Sequence, residues 1–287
     1  MKPRTEKTNC DPLWLYWGRQ PMSWLRYMTV HTATLIHDDV RLILRRDAFE
    51  QPSGIACWKE EQECKGGDHV GKDWTADATE RATEVLWLED VCPELAEGYS
   101  DVHVSDLLSY WLLGHHGGTI SDMDIVYFAP LPPILHDVQI ALQYWTDISR
   151  NVQRRGRVPV DVQRKYKYVP IGFLQGRRSQ FWRDRYEEGK ARYDARQYES
   201  VGSQVLTPHV EHSIISPRIV YPFVDSRMDH LFDDPCCPPL PLDCIGIHWY
   251  AGGKQRYNRA IKGMSDVPAG AVRMALEKAM ALEEEAL

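Results

Sequence analysis

The residues best suited to chemistry in this chain are Asp122 and Asp124, in the run Asp122-Met123-Asp124. In extended backbone, positions two apart put both carboxylates on the same side. Two such acids repel each other unless a hard cation sits between them. Mg²⁺ or Mn²⁺ prefers octahedral oxygen ligands and commonly shares a few protein carboxylates with substrate phosphates, so a nucleoside diphosphate would complete the shell. The pair alone could equally be two acids in an exposed turn. Its context points the other way, because Ile125-Val126-Tyr127-Phe128 follows at once and reads as a buried strand.

The elements that must hold this pair are legible around it. Ser105 can cap a helix whose Leu107, Leu108, Trp111 and Leu112 give an apolar face, and Gly117-Gly118 stops it. Leu13 to Trp17 reads as a buried strand closed by Gly18, Pro21 to Ile36 as a helix, and Val40 to Leu44 as a second strand. That strand-helix-strand opening predicts an α/β sheet. Further strands are predicted at 169–174, 219–221 and 244–249, and helices at 179–196, 202–209 and 268–286, with 79–87 read as helical. A polar excursion spans about 50–90 and a basic insert about 145–168. The whole chain, 1–287, is expected to be a single domain.

Composition narrows the classes. No apolar run is long enough to span a bilayer, and Met1 to Cys10 is too polar for a secretory leader, so the expected setting is cytoplasmic. Seven cysteines without a CxxC pair suggest reduced thiols rather than a zinc ribbon or a disulfide framework. There is no G-x-x-x-x-G-K-[ST] loop, which argues against a P-loop phosphoryl-transfer enzyme. The net charge of −7 conceals a local balance of +9 between Arg150 and Arg196. Such a band is either a solvated helix surface or a face for a polyanion.

The run Ser105-Asp106-Leu107-Leu108-Ser109-Tyr110, through Gly117-Gly118 to Asp122-Met123-Asp124, resembles the sugar-nucleotide region of DXD-containing GT-A glycosyltransferases, where an S-D-x-x-R-Y helix leads into G-G and D-x-D. Trp14 to Trp17 with Pro21-Met22, Ile171 to Leu174, Val201-Gly202-Ser203 with Leu206-Thr207, and Ile247-His248-Trp249 resemble further pieces of that family in the same order. The resemblance implies a GT-A fold, a Rossmann-like mixed sheet flanked by helices. It also implies transfer of a sugar from a nucleotide sugar, expected to be a UDP-sugar, with Mn²⁺ or Mg²⁺. Asp122 and Asp124 would then serve the metal and Asp106 the donor sugar.

By the same resemblance His248 would complete the metal shell or meet the diphosphate, with Trp249 beside it; a core histidine is the alternative. Tyr16, Trp17 and Gly18 would receive the nucleobase, although Tyr16 could as well be a buried strand aromatic. Gly117 and Gly118 are expected at the cofactor. Ser109 stands where the family often has Arg, and Arg177, Arg178 or Lys254 could supply that charge. Adjacent side chains on a helix diverge, so His115-His116 is not read as a metal pair.

The resemblance extends to two groups that differ in acceptor. One resembles the glucosyltransferase of base J synthesis and modifies hydroxymethylated pyrimidines in DNA, often for viruses; the other makes capsular and surface glycans. Arg154, Arg155, Arg157, Lys165 and Lys167 alternate with Tyr166 and Tyr168, as phosphate contacts and stacking platforms would, and favour DNA containing hydroxymethylcytosine. Such a base would have to be flipped out of a duplex. A glycan acceptor is the alternative, and outside the class so is a non-catalytic nucleic-acid-binding protein.

Overall fold

The computed structural model describes residues 11–18, 21–46, 71–141, 143–144, 167–197, 200–209, 213–223, 230–251 and 255–286. Strand β1 (Leu13–Tyr16) runs into helix α1 (Trp24–Ile36), which returns to β2 (Val40–Leu44). The helix starts three residues later than the sequence suggests. Ser23 rather than Pro21 marks its start, its hydroxyl accepting the Arg26 N–H at 3.4 Å. Residues 79–87 are not one helix: α2 (Thr75–Arg81) ends, and β3 (Glu84–Trp87) pairs parallel with β2, so the end of the expected excursion is sheet. The β-branched and aromatic side chains of Val85 and Trp87, beside an exposed β2 edge, outweigh the local helical pattern.

After the short turn α3 (Leu88–Val91), helix α4 (Asp101–His115) begins at Ser100, one turn earlier than Ser105. Ser105 lies inside it, where its carbonyl accepts the Ser109 hydroxyl at 2.7 Å. Gly117, at φ +75°, ends the helix as only glycine does readily, and β4 (Gly118–Ser121) follows. The chain continues through β5 (Ile125–Tyr127), β6 (Gln139–Ala141), β7 (Gln143–Tyr144), β8 (Lys167–Tyr168), β9 (Phe173–Gly176), α5 (Gln180–Arg192), α6 (Ser203–Leu206), β10 (Ser213–Ile215), β11 (Gly246–His248), α7 (Gln255–Ala260) and α8 (Ala271–Ala286). The strand expected at 219–221 does not form; Pro217–Ile219 make a 3-10 turn and 220–221 continue as loop. Pro170 delays the strand expected from 169, and Val169 to Gly172 form the loop that enters β9.

Seven strands form one mixed sheet in the order β10-β6-β9-β4-β1-β2-β3. β9 is antiparallel to both its neighbours, and the other pairings are parallel. The expected mixed α/β sheet flanked by helices is thus present. Strand periodicity divides its core. Trp14, Ile43, Ile120 and Leu174 face α4 and α5, whereas Leu13, Leu15, Leu42, Leu44 and Phe173 join the α1 side. A third apolar cluster links α1, the antiparallel β5–β11 pair and α8. Among the described residues no helix is long and apolar enough to cross a membrane.

Candidate metal and nucleotide site

Parallel strands deliver their carboxyl ends to one edge, which is where open α/β sheets hold ligands. At that edge Asp122 to Asp124 form the turn between β4 and β5, rather than interrupting one strand as the sequence suggests. Three anchors fix the turn. The Asp122 N–H donates to Gly172 O at 2.8 Å, the Thr29 hydroxyl to Met123 O at 3.0 Å, and the Trp249 N–H to Asp124 O at 2.9 Å. β11 pairs with β5 so that His248 stands opposite Ile125.

The imidazole Nε2 consequently lies 3.0 Å from Asp124 Oδ1 and 3.7 Å from Asp122 Oδ2. One ligand atom from each of Asp122, Asp124 and His248 falls within 4.8 Å of the others. The two acids differ in a way their spacing does not reveal: the Asp122 side chain is 41% exposed and that of Asp124 only 11%. Asp124 Oδ2 accepts the Ala251 N–H at 2.8 Å, a bond that needs the left-handed backbone of Tyr250 (φ 55°) to turn the chain back.

Burial works against the charge on Asp124. The His248 imidazole, the Arg26 guanidinium and the Ala251 N–H outweigh it and hold the carboxyl below its usual range. Burial likewise opposes the imidazolium of His248, and the two carboxylates overcome it, so its pKa is raised. Without metal the pair is therefore an ion pair.

Two observations distinguish this arrangement from a satisfied core histidine. The buried Nδ1 of His248 has no hydrogen bond, and Asp124 Oδ1 has none of sound geometry despite its 3.0 Å approach to Nε2. Two carboxylates and an imidazole that sheds its proton are a donor set suited to Mn²⁺ or Mg²⁺.

The other expected residues separate into those the fold brings to this edge and those it does not. Tyr16 lies there, but its ring packs on the α4 side of the core and its hydroxyl donates to Asp101 Oδ1 at 3.2 Å. Trp17 follows, with the Arg26 guanidinium 4.4 Å from its ring centroid. Gly18 is pressed against Asp101, so that a Cβ there would come within 2.5 Å of the carboxylate. Buried Arg45 holds that carboxylate at 2.8 Å.

Asp106, on α4, abuts Gly202, whose absent side chain leaves room between the carboxylate and Ile171. Gly172 does the same for Asp122, since a Cβ there would lie 2.5 Å from Oδ2 and 3.1 Å from the Tyr221 hydroxyl. Trp249 departs from expectation. It follows β11 directly, its ring fully buried against Phe232 with the Arg26 guanidinium 5.8 Å from it, and its backbone N–H holds Asp124 O.

Gly117 and Gly118 sit at the opposite end of β4 from Asp122. There they admit Arg178 N and Pro12 O, so their role is close packing and not cofactor contact. Arg177 and Arg178 follow β9 at that same far end, as its pairing of Gly176 with Gly118 requires. His115 and His116 are there too, His115 bonded to Trp111 O at 2.8 Å. Lys254, Arg154, Arg155, Arg157 and Lys165 lie outside the described residues; the backbone of Lys167 pairs with Tyr144 in the small β7–β8 ribbon. Sequence reasoning missed Arg26, Gly172, Tyr221 and the Tyr250–Ala251 turn. A charged residue on a helix with Leu25, Met28 and Val30 buried was the signal available for Arg26.

No protein-family model and no curated protein matches the chain. Among solved structures it is similar to the PaToxG glycosyltransferase, at 12% identity over 70% of this chain and 69% of that one, with a TM-score of 0.41. It is also similar to the bifunctional glycosyltransferase WbbM in its apo form, at 9% identity over 96% of this chain and 52% of that one, with a TM-score of 0.46. The chain thus spans about half the length of WbbM. At these values neither likeness bears on what the site does, which follows from its own side chains.

Proposed function

We propose that the chain is a single-domain, metal-dependent glycosyltransferase that moves a sugar from a nucleotide diphosphate sugar to a hydroxyl acceptor. The observation that carries this reading is the convergence of Asp122, Asp124 and His248 at the carboxyl edge of the sheet, with Trp17 and Gly18 on the same edge. Asp122, Asp124 and neutral His248 would hold Mn²⁺ or Mg²⁺, which when bound supplies Lewis-acid stabilisation to the departing diphosphate. Asp122, the more exposed acid, faces the incoming phosphates. Asp106, beside Gly202 and Ile171, would accept hydrogen bonds from sugar hydroxyls. The nucleobase would lie against the Trp17–Gly18 loop, and a UDP-sugar is the favoured donor.

For the acceptor we favour a 5-hydroxymethylated pyrimidine in DNA, as in phage or viral DNA modification. Support comes from the alternation of basic and aromatic residues at 150–168. The test is release of nucleoside diphosphate from a panel of nucleotide sugars, in Mn²⁺ and in EDTA, with mass spectrometry of hydroxymethylcytosine DNA added as acceptor. Mn²⁺-dependent release and a hexose-sized mass gain on the DNA are expected. Release with no gain on DNA would move the acceptor to a glycan, and no release from any donor would sink the glycosyltransferase reading.

A further inference from the structure

Around the metal position the protein supplies two carboxylates and a neutral imidazole, which cancel a divalent cation. The diphosphate of a nucleotide sugar then adds negative charge that nothing in that set offsets, and gains more as it leaves. Arg26 stands beside the turn that carries the two aspartates. Thr29, three residues on and so on the same face of α1, donates to Met123 O between the two aspartates, which lays this face against the metal turn. The Arg26 guanidinium carbon lies 4.4 Å from the Trp17 ring centroid and 5.8 Å from that of Trp249, held between the loop after β1 and the end of β11. Its charge reaches Asp124. Below it, Ser23 and Asn258 are both buried and hydrogen-bonded to each other at 2.5 Å, which fixes the start of the helix that carries it.

Building on the glycosyltransferase reading, we propose that Arg26 is the protein's own cation for the diphosphate, its planar fork donating hydrogen bonds to phosphate oxygens while its face stays on the Trp17 indole. When the anomeric carbon–oxygen bond breaks, the electron pair stays on the β-phosphate oxygen. The acceptor oxygen bonds the anomeric carbon and its proton passes to that phosphate. Arg26 moves no proton; it meets the added charge.

Calorimetric titration of Mn²⁺-loaded protein with inorganic pyrophosphate, UDP, UMP and uridine tests this in wild type, Arg26→Met and Arg26→Lys. Arg26→Met is expected to weaken pyrophosphate and UDP about 10- to 100-fold, the range of charge-assisted hydrogen bonds, while uridine is unchanged and Mn²⁺ alone binds no worse. Arg26→Lys keeps the charge but not the fork and should fall between. Pyrophosphate affinity within twofold of wild type in Arg26→Met would overturn the assignment, leaving Arg26 as a counter-charge for Asp124. Should that variant fail to fold, wild-type affinity in Arg26→Lys overturns it equally. Arg26-dependent pyrophosphate binding without any nucleoside diphosphate binding would uphold Arg26 and sink the sugar-transfer reading. UDP binding that ignores Arg26 does the reverse, and binding of neither overturns both.

Discussion

The two edges of the main sheet are built from similar residue types and treat them oppositely. At the edge of Gly117 and Arg177, three long side chains end on backbone carbonyls, although the Ser179 hydroxyl is buried without a hydrogen bond. Trp14 Nε1 donates to Gly117 O at 2.9 Å, Trp182 Nε1 to Asp137 O at 2.8 Å, and Arg183 Nη1 to Gly114 O at 2.7 Å. Gln175 and Gln139, both buried, bond each other at 3.2 Å. At the edge of Asp122, by contrast, His248 Nδ1 and Asp124 Oδ1 are buried without sound hydrogen bonds, next to a residue in left-handed backbone. Buried atoms without a hydrogen bond occur elsewhere too, His31 Nδ1 and Ser179 Oγ among them; what sets this edge apart is that two carboxylates and an imidazole converge there. Residue type alone does not tell a structural polar group from a member of a candidate site; which other groups it meets does.

The comparison breaks first at Asp124. Asp124→Asn keeps an acceptor for the Ala251 N–H but removes the charge, and should lower turnover by at least about 100-fold, roughly 2.7 kcal/mol of barrier, with loss of Mn²⁺ binding by calorimetry. Turnover within tenfold of wild type would place the metal elsewhere. Next, Gly172→Ala should reduce donor turnover by about tenfold or more, because the new methyl meets Asp122 Oδ2 and the Tyr221 hydroxyl. A variant as active as wild type would mean that Asp122 need not hold its observed position.

The far edge should respond the other way. Trp182→Phe removes the donor to Asp137 O in a fully buried residue, and should cost about 1–3 kcal/mol in denaturant unfolding while metal affinity stays unchanged. Altered metal affinity would show that the edges are coupled.

The smallest effect concerns His103, a buried histidine of the satisfied kind, with Nδ1 2.7 Å from Ser100 Oγ and Nε2 3.1 Å from Gln197 O. Burial lowers its pKa in the fold, so between the folded and unfolded values the unfolded chain binds the extra proton. Its contribution is complete above the unfolded value, about 6.5, and is lost as pH falls through the folded one. Unfolding titrations from pH 7 to pH 5 should show stability declining, less steeply in His103→Gln. Equal slopes in both proteins would assign the decline to other groups.

Much of the fold was legible in the sequence because its signals are local. Val40 to Leu44, apolar apart from Arg41, falls on β2 as expected, and the helix expected from 179 is α5. β3 was not legible, because a short strand at a sheet edge depends on its neighbour and not on its own period. The candidate site divides likewise. Asp122, Asp124 and His248 were named from pattern and resemblance, and the structure brings them together. The burial of Asp124, the inward ring of Trp249 and the proximity of Arg26 are consequences of packing between β5, β11 and α1, which no local window contains. Gly117 and Gly118 look like ligand glycines in sequence because tight packing and phosphate approach both require a missing Cβ.

The bond from Ala251 to Asp124 joins residues 127 positions apart. Contacts that close such long loops form late and slowly, since chain entropy must be overcome before they return any stabilisation. The sheet strands from β1 to β4 can be paired before residues 248–251 have left the ribosome, yet the carboxylates between β4 and β5 then have no imidazole and no Ala251 amide beside them. Completion of the proposed metal site is therefore expected late in folding, and a refolding time course should show sheet signal by far-ultraviolet circular dichroism well before Mn²⁺ is taken up.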